Sequence, residues 1–337
     1  MNFGTASTSL SLDTPIYRII DFFELHAILR KQCLRVAKAS CFEDENEAIE
    51  EILHGLQVVA GPCRGGIGRS WEGNYHDAIR AHTETKHSAF ISSWTLKPES
   101  VAMWCLYSKE YTGVRIKTTI RKLLNIVKDF QESRSLKKLC RIGSPYTCAV
   151  GNCYIEPVHY VDSKKMFNRV VRRKRAYDKL EPILLKKGIQ PYQPGQGRSE
   201  RYTNFLNLPR QPYLIKDHAY FHESEVRAVI RVGRVDHDVK SPDNILSPEN
   251  IIQGVGDLEA AQFDLPNRAK EDDFDHNVFL DISSDFIEEI CVDARCPDFK
   301  RVEMLSVIET FGIPVVESDA FGYLPKPEYF KQQYIGS

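Results

Sequence analysis

The stretch YFHESEVRAVI, Tyr220 to Ile230, sets two carboxylates and a guanidinium at every second position: Glu223, Glu225 and Arg227. Strand side chains alternate, so these three are expected on one face, with Val226, Ala228 and Ile230 on the other. Carboxylates are poor strand residues, and a polar cleft would explain them. Two more polar positions interrupt apolar strands: Arg18, beside Tyr17 in IYRII, and Ser92–Ser93 in AFISSWT. Taken singly, each has a plain structural role: an exposed strand face, a surface arginine, the start of a turn. Taken together they make one chemical proposal. A carboxylate beside a ribose stabilises the positive charge that develops as a glycosidic bond breaks. A second carboxylate on the same face can orient or deprotonate the nucleophile. An arginine can clamp a diphosphate bidentately, and serines can support the pocket. That inventory suits NAD as a substrate, with Glu225 stabilising and Glu223 preparing the acceptor. Trp104 and Tyr107 lie about one helical turn apart, as a ring-stacking pair for the cofactor or as core packing.

The charge distribution speaks to the acceptor. From Arg115 to Lys216 there are about 23 basic against about 7 acidic side chains, and from Asp217 onward about 11 against about 25. The net charge of −1 hides this division. The basic run Lys164, Lys165, Arg169, Arg172, Arg173, Lys174, Arg175 suits the phosphates of a nucleic acid. Tyr192, Tyr202 and Phe205 follow, as stacking residues for unpaired bases. The alternatives are a solvated helix paired with the acidic C-terminal part, or a dock for a protein target or an acidic antitoxin.

The elements that must position these residues read as α+β. A strand over Ile16–Ile20 leads into a helix capped by Asp21, and CLRVAK is a second strand. FEDENEAIEEILHGLQVVAG turns helical after an acidic start. GPCRGGIGRSWEG is a loop, without the Gly-Lys-Ser/Thr of a phosphate-binding loop. HSAFISSWTL is a strand, ESVAMWCLYSK a short helix and TGVRIKTT a strand. A basic helix follows over Ile120–Phe130, then CYIEPVHYVD as a strand interrupted by Pro157, and a long basic helix from Lys164 to Lys187. FIEEICVDA, PDFKRVEMLSVIETFG and IPVVES end the chain as strand, helix and strand, with Gly312 stopping the helix.

The 337 residues, 42% hydrophobic and 27% charged, are those of a globular protein. No apolar run approaches the ~20 residues of a membrane span, and the first residues lack a signal-peptide pattern. Nine scattered cysteines without a CxxC pair fit a reducing, cytoplasmic setting. No histidine stands at zinc-site distance from Cys148/Cys153 or Cys291/Cys296, so no metal is expected. One domain over 15–323 is expected, with a basic helical insertion at 120–216 and an acidic loop at 236–276. Tails of 1–14 and 324–337 flank it.

The order arginine, serine pair, Glu-x-Glu resembles the arginine–serine–glutamate class of ADP-ribosyltransferases. The resemblance implies a split mixed sheet, NAD as substrate, Arg18 as the first-strand arginine and Glu225 as the catalytic glutamate. Ser92-Ser93-Trp94 stands where that class has Ser-Thr-Ser. The blocks IYRIIDFFELHAIL…CLRVAKASCFEDENEA, FISSWTLKPESVAMWCLYSKEYTGVRIKTT, HESEVRAVI and DFIEEICVDARCPDFKRVEMLSVIETFGIPVVESDAF also resemble, in that order, a large uncharacterised bacterial domain family. That resemblance implies an accessory gene of toxin–antitoxin or phage-defence type, and with it a neutralising partner. Two rival readings stay open. One is a non-catalytic nucleic-acid-binding or sensor module, with Glu223, Glu225 and Arg227 as a structural charge ladder. The other is a metal-dependent nuclease using Glu223, Glu225 and Asp272, although the usual Asp…Glu-x-Lys spacing is absent.

Overall fold

The computed structural model describes residues 6–44, 46–60, 71–133, 147–188, 206–209, 211–235 and 275–321. The strands are β1 (Ser7–Thr8), β2 (Pro15–Asp21), β3 (Cys33–Lys38), β4 (Ala89–Thr95), β5 (Gly113–Thr119) and β6 (Thr147–Pro157). They continue with β7 (His159–Val161), β8 (Ile215–Asp217), β9 (Glu225–Val235), β10 (Asn277–Asp281), β11 (Glu289–Val292) and β12 (Val315–Val316). The helices are α1 (Phe22–Lys31), α2 (Ile49–Ala60), α3 (Trp71–Lys86) and α4 (Val101–Tyr107). After them come α5 (Ile120–Glu132), α6 (Ser163–Lys186) and α7 (Asp298–Glu309). The architecture is mixed α+β, with parallel and antiparallel strand pairs. Among the described residues no helix is long and apolar enough to cross a membrane.

The chain forms two compact units. Unit 1 takes Met1–Ser11, Arg35–Ser93 and Leu124–Leu280; unit 2 takes Leu12–Leu34, Trp94–Leu123 and Asp281–Ser337. In unit 1 the strands run in the order β1-β6-β9-β4-β3-β10. β6 and β9 are antiparallel from Thr147↔Val235 to Pro157↔Val226, with a register shift between Val150 and Cys153. The shift marks a bulge, which twists the strand locally. β7 and β8 form a small parallel pair that sets Tyr160 opposite Lys216. Helix α2 packs on α3 through Gly55, where an added Cβ would stand 2.8 Å from the Cβ of Ala78. The absence of a side chain there allows the close approach. Helix α6 is tied down by its N-terminal half: Met166, Phe167 and Val170 join Ile49, Leu53, Leu56 and Ile215 in one apolar cluster. The Asp162 carboxylate caps it, accepting the Lys165 N–H at 2.8 Å.

In unit 2, β2 pairs antiparallel with β5 over seven positions, from Pro15↔Thr119 to Asp21↔Gly113. β5 pairs in turn with β11, and β11 with β12. Asp21 caps α1 as expected, accepting the Phe23 N–H at 2.8 Å. The chain then leaves α1 through a left-handed Gln32. Gly312, three residues past the end of α7, is likewise left-handed at φ 67°.

Several expectations change. The strand expected from Tyr220 begins at Glu225; His218–Glu223 is a 3₁₀ turn, capped by Asp217. β1 lies within the expected N-terminal tail and pairs parallel with β6. Helix α3 takes in Trp71, Glu72 and Gly73, read as the end of a loop. β6 and α6, in the basic segment, belong to the sheet and core of unit 1. Tyr192, Tyr202, Phe205, Asp272 and most of the acidic stretch 236–276 lie outside the described residues.

Candidate functional site

The polar positions of β9 do form a cluster, but by a different route from strand alternation. Ser224, between the 3₁₀ turn and β9, is left-handed at φ 46° and ψ 49°. That reversal, uncommon for a residue with a Cβ, returns Glu223 toward Glu225. Lys216 bridges the two: its Nζ is 2.6 Å from Glu223 Oε2 and 3.1 Å from Glu225 Oε2. Both glutamates are 4% exposed.

Arg227 closes the other side, as strand alternation requires of the residue two after Glu225. Its Nε donates to Glu225 Oε1 at 2.8 Å and its Nη2 to Glu225 Oε2 at 3.5 Å. Nη1 and Nη2 also grip the two oxygens of Glu47, at 2.5 and 2.9 Å. Nη1 donates again to the carbonyl of Tyr213, at 2.8 Å. Tyr213 is itself left-handed, at φ 65°. All five guanidinium N–H groups are thereby used. The loop bearing Glu47 is anchored from α3, where His82 Nε2 donates to the Glu47 carbonyl at 2.6 Å. Tyr160 completes the site: the Glu225 N–H donates to its hydroxyl oxygen at 2.7 Å.

The electrostatics follow from this packing. Burial pushes the Glu225 carboxyl up, but the Arg227 and Lys216 charges and a hydrogen bond from Ser93 outweigh it and hold the group at about 2. Glu225 is therefore ionised at any physiological pH. Burial pushes Glu47 above the usual carboxylate range, against the opposing pull of Arg227. Burial would lower Lys216, yet its two carboxylate neighbours raise it, so it stays charged. Burial lifts the Tyr160 phenol to about 12. Glu47, Glu223 and Glu225 thus surround Arg227 and Lys216 in a largely buried site. Carboxylates held this way stabilise positive charge that develops beside them. The site offers no carboxyl at Glu225 that could exchange a proton near neutral pH.

Of the residues singled out in the sequence, Glu223, Glu225, Ser93 and Arg227 come together in unit 1. Ser92, 2% exposed, faces the opposite side of β4 from Ser93 by strand alternation. Arg18, Tyr17, Trp104 and Tyr107 belong to unit 2. There Arg18 pairs with Glu24 at 3.3 Å, and Arg115 stacks over the Tyr17 ring at 5.2 Å. Trp104 has no exposed surface and donates its indole N–H to Glu99 at 3.1 Å, so it is a core residue. Tyr107, on the same short helix, is 44% exposed. Lys216, Glu47 and Tyr160 were not legible as site residues. Glu47 read as one more acid at a helix start, and nothing in HYVD or LIKD marks a pair that meets across β7 and β8.

Along α6, Lys164, Lys165, Arg169, Arg172, Arg173 and Arg175 are exposed, while Lys174 is half-buried and bonds Asp178 one turn on. The helix starts three residues after Tyr160. A cleft of about 460 Å³ opens there, lined by Asp162, Lys164, Lys165, Asp217, His218 and Ala219. Among the described residues no group of three histidine, cysteine or acidic side chains is arranged to hold a metal ion.

No family model matches the chain, and no curated protein matches it. The resemblance to the uncharacterised bacterial domain family therefore gains no support from that side. Two solved structures align with it over most of its length at low similarity. One is Thermus sp. 2.9 DarT in complex with ADP-ribosylated ssDNA: 11% identity, 92% of this chain and 97% of that one, TM-score 0.27. The other is Thermus sp. 2.9 DarT in complex with NAD+: 10% identity, 94% and 100% coverage, TM-score 0.27. The ligands are those of DarT, and at this TM-score the likeness carries no argument about the chemistry of this chain.

Proposed function

We propose that this protein is an NAD-dependent ADP-ribosyltransferase whose chemistry centres on Glu225, with nucleic acid as the acceptor. The observation that supports the reading is the buried Glu225 at the head of β9, ionised near neutral pH and held by Lys216, Arg227 and Ser93. In this reading NAD is the substrate. Glu225 stabilises the positive charge that grows on the ribose as the C1′–nitrogen bond breaks and its electron pair leaves with nicotinamide. Glu223 orients the acceptor, whose nucleophilic atom bonds to C1′ and passes its proton to solvent water. The basic face of α6 and the cleft at its start would steer phosphates toward the site. A toxin or defence role, and a neutralising partner, would suit such an activity.

A second reading is favoured by the completeness of the Arg227 contacts: a binding module in which the charge network only holds β9, β8 and the Glu47 loop together. One experiment separates them. Purified protein is incubated with labelled NAD and with RNA, single-stranded DNA or lysate protein, beside Glu225→Gln. That substitution keeps shape and removes charge. Label should enter a nucleic-acid pool and fall by about 10²-fold or more in the variant. Undiminished transfer by Glu225→Gln would remove that residue from the chemistry. Folded protein that releases no nicotinamide, yet binds nucleic acid in a salt-dependent way, would establish the second reading.

A further inference from the structure

We propose that Lys216 is a displaceable counter-ion: its ammonium holds the seat between Glu223 and Glu225 that a cationic group of the ligand takes on binding. The role deepens the transferase reading, and rests on it only for the identity of the natural ligand, the positively charged pyridinium end of NAD. Lys216 would then be a positioning residue. Between turnovers it keeps two neighbouring carboxylates side by side; during binding it yields.

Three observations support this. Lys216 is the most exposed of the five charged groups, with 12% of its side chain accessible against 5% for Glu223, 4% for Glu225 and 2% each for Arg227 and Glu47. It is therefore the one of the five that solvent reaches most readily. Its charge is a single ammonium on a flexible stem, whereas the planar fork of Arg227 is fixed by five bonds. Lys216 can leave; Arg227 cannot. A second seat is at hand, because the ammonium already lies 4.6 Å from the centre of the Tyr220 ring.

The other groups facing Lys216 decide how the site behaves without it. Glu223 and Glu225 would lose the bridge between them, Arg227 would serve Glu225 and Glu47, and the Tyr160 phenol, raised to about 12, carries no charge near neutrality. Two adjacent carboxylates with one fewer cation share a proton and titrate as a pair. An incoming cation would then compete with that proton.

The test uses the full chain with a probe that needs no transferase activity. Binding of 1-methylnicotinamide, a simple pyridinium cation, and of neutral nicotinamide is measured by calorimetry from pH 5 to pH 9. Wild type, Lys216→Met and Lys216→Arg are compared, with folding checked by urea melts. In Lys216→Met the cation should bind about tenfold more tightly at pH 9, and progressively less so toward pH 5. Wild type should be flat over that range, and nicotinamide should be unaffected in all three proteins. Lys216→Arg should bind the cation more weakly than wild type, because a guanidinium held by two carboxylates is harder to displace. Opposite effects of Met and Arg are the signature, since a merely structural bridge would be reproduced by arginine. If Lys216→Met does not fold, Lys216→Arg alone decides: unchanged or tighter cation binding overturns the role. So does a folded Lys216→Met with unchanged cation affinity. Cleavage of NAD by wild type alongside such a failure would leave the transferase reading standing. Tighter cation binding in a protein that never cleaves NAD would do the reverse.

Discussion

Arg227 in unit 1 and Arg115 in unit 2 are both strand arginines buried among carboxylates, but their surroundings differ. Arg115 donates to Glu289 at 2.5 Å and lies 3.8 Å from Glu99, with Lys117 joining Glu289 at 3.6 Å. Two cations meet two carboxylates. Glu99 is further committed to structure, accepting the Trp104 indole and the Asp319 N–H. Arg115 even leaves its buried Nε without a hydrogen bond. Around Arg227 every donor is used: its five N–H groups go to Glu47, Glu225 and the Tyr213 carbonyl, and Lys216 joins Glu225 to Glu223. An arginine fixed at every donor cannot give way to a ligand, whereas a lysine ammonium shared between two carboxylates can. This difference, more than burial or a shifted pKa, separates a structural ion cluster from a candidate active site.

The contrast can be broken first at the arginines. Arg227→Met should cost about 3–5 kcal/mol, because Glu47 and Glu225 keep buried charges without their partner. Arg115→Met should cost less, since Glu99 and Glu289 keep 15% and 22% of their side chains accessible and can rehydrate. Urea midpoints at constant m-value compare the two; equal losses would erase the distinction. Next in size is pH. Glu225 is depressed from 4.5 to about 2 in the folded protein. Its stabilising contribution is complete above pH 4.5 and is lost as pH falls toward 2, on the order of 3 kcal/mol in all. Glu47, raised by burial, acts oppositely: its folded form keeps a proton longer, so its contribution declines as pH rises past 4.5. Urea melts between pH 2 and pH 5 should therefore show stability climbing with pH in wild type, and a shallower climb in Glu225→Gln. The smallest effect belongs to Ser224. Ser224→Gly should stay within about 1 kcal/mol of wild type, and Ser224→Val should lose about 1–2 kcal/mol, because a β-branched residue fits the left-handed region poorly. A harmless Ser224→Val would show that the turn, and with it the meeting of Glu223 with Lys216, is not fixed by that backbone.

Much of the fold was legible because it is written in local periodicity and caps. Asp21 begins α1, IYRII and GVRIKTT pair as β2 and β5, and Lys164–Lys187 is helical to within a residue at either end. The apolar alternation of Val226, Ala228 and Ile230 identified β9 but not its start, since Glu223 is two before Glu225 in either a strand or a turn. The site was half legible for the same reason. Residues two apart on one strand, Glu225 and Arg227, could be paired from sequence. Their partners arrive by tertiary contact alone: Glu47 from 180 residues away, and Lys216 from a three-residue strand with no pattern of its own. Tyr17, Arg18, Trp104 and Tyr107 were grouped with Glu225 by chemistry, and compact packing assigns them to the other unit.

That 180-residue separation between Glu47 and Arg227 also governs the order of events during synthesis. At roughly 5–20 residues per second, Glu47 waits roughly 10 to 40 s for the guanidinium that neutralises it. Unit 1 gathers its strands from three stretches of chain, and β1, among the first residues made, pairs with β6 almost 150 residues later. Contacts of such high sequence separation slow folding. The first carboxylate of the cluster must stay hydrated and its loop open until β9 emerges, so the protein acquires its buried charge cluster late, after most of unit 1 has been translated.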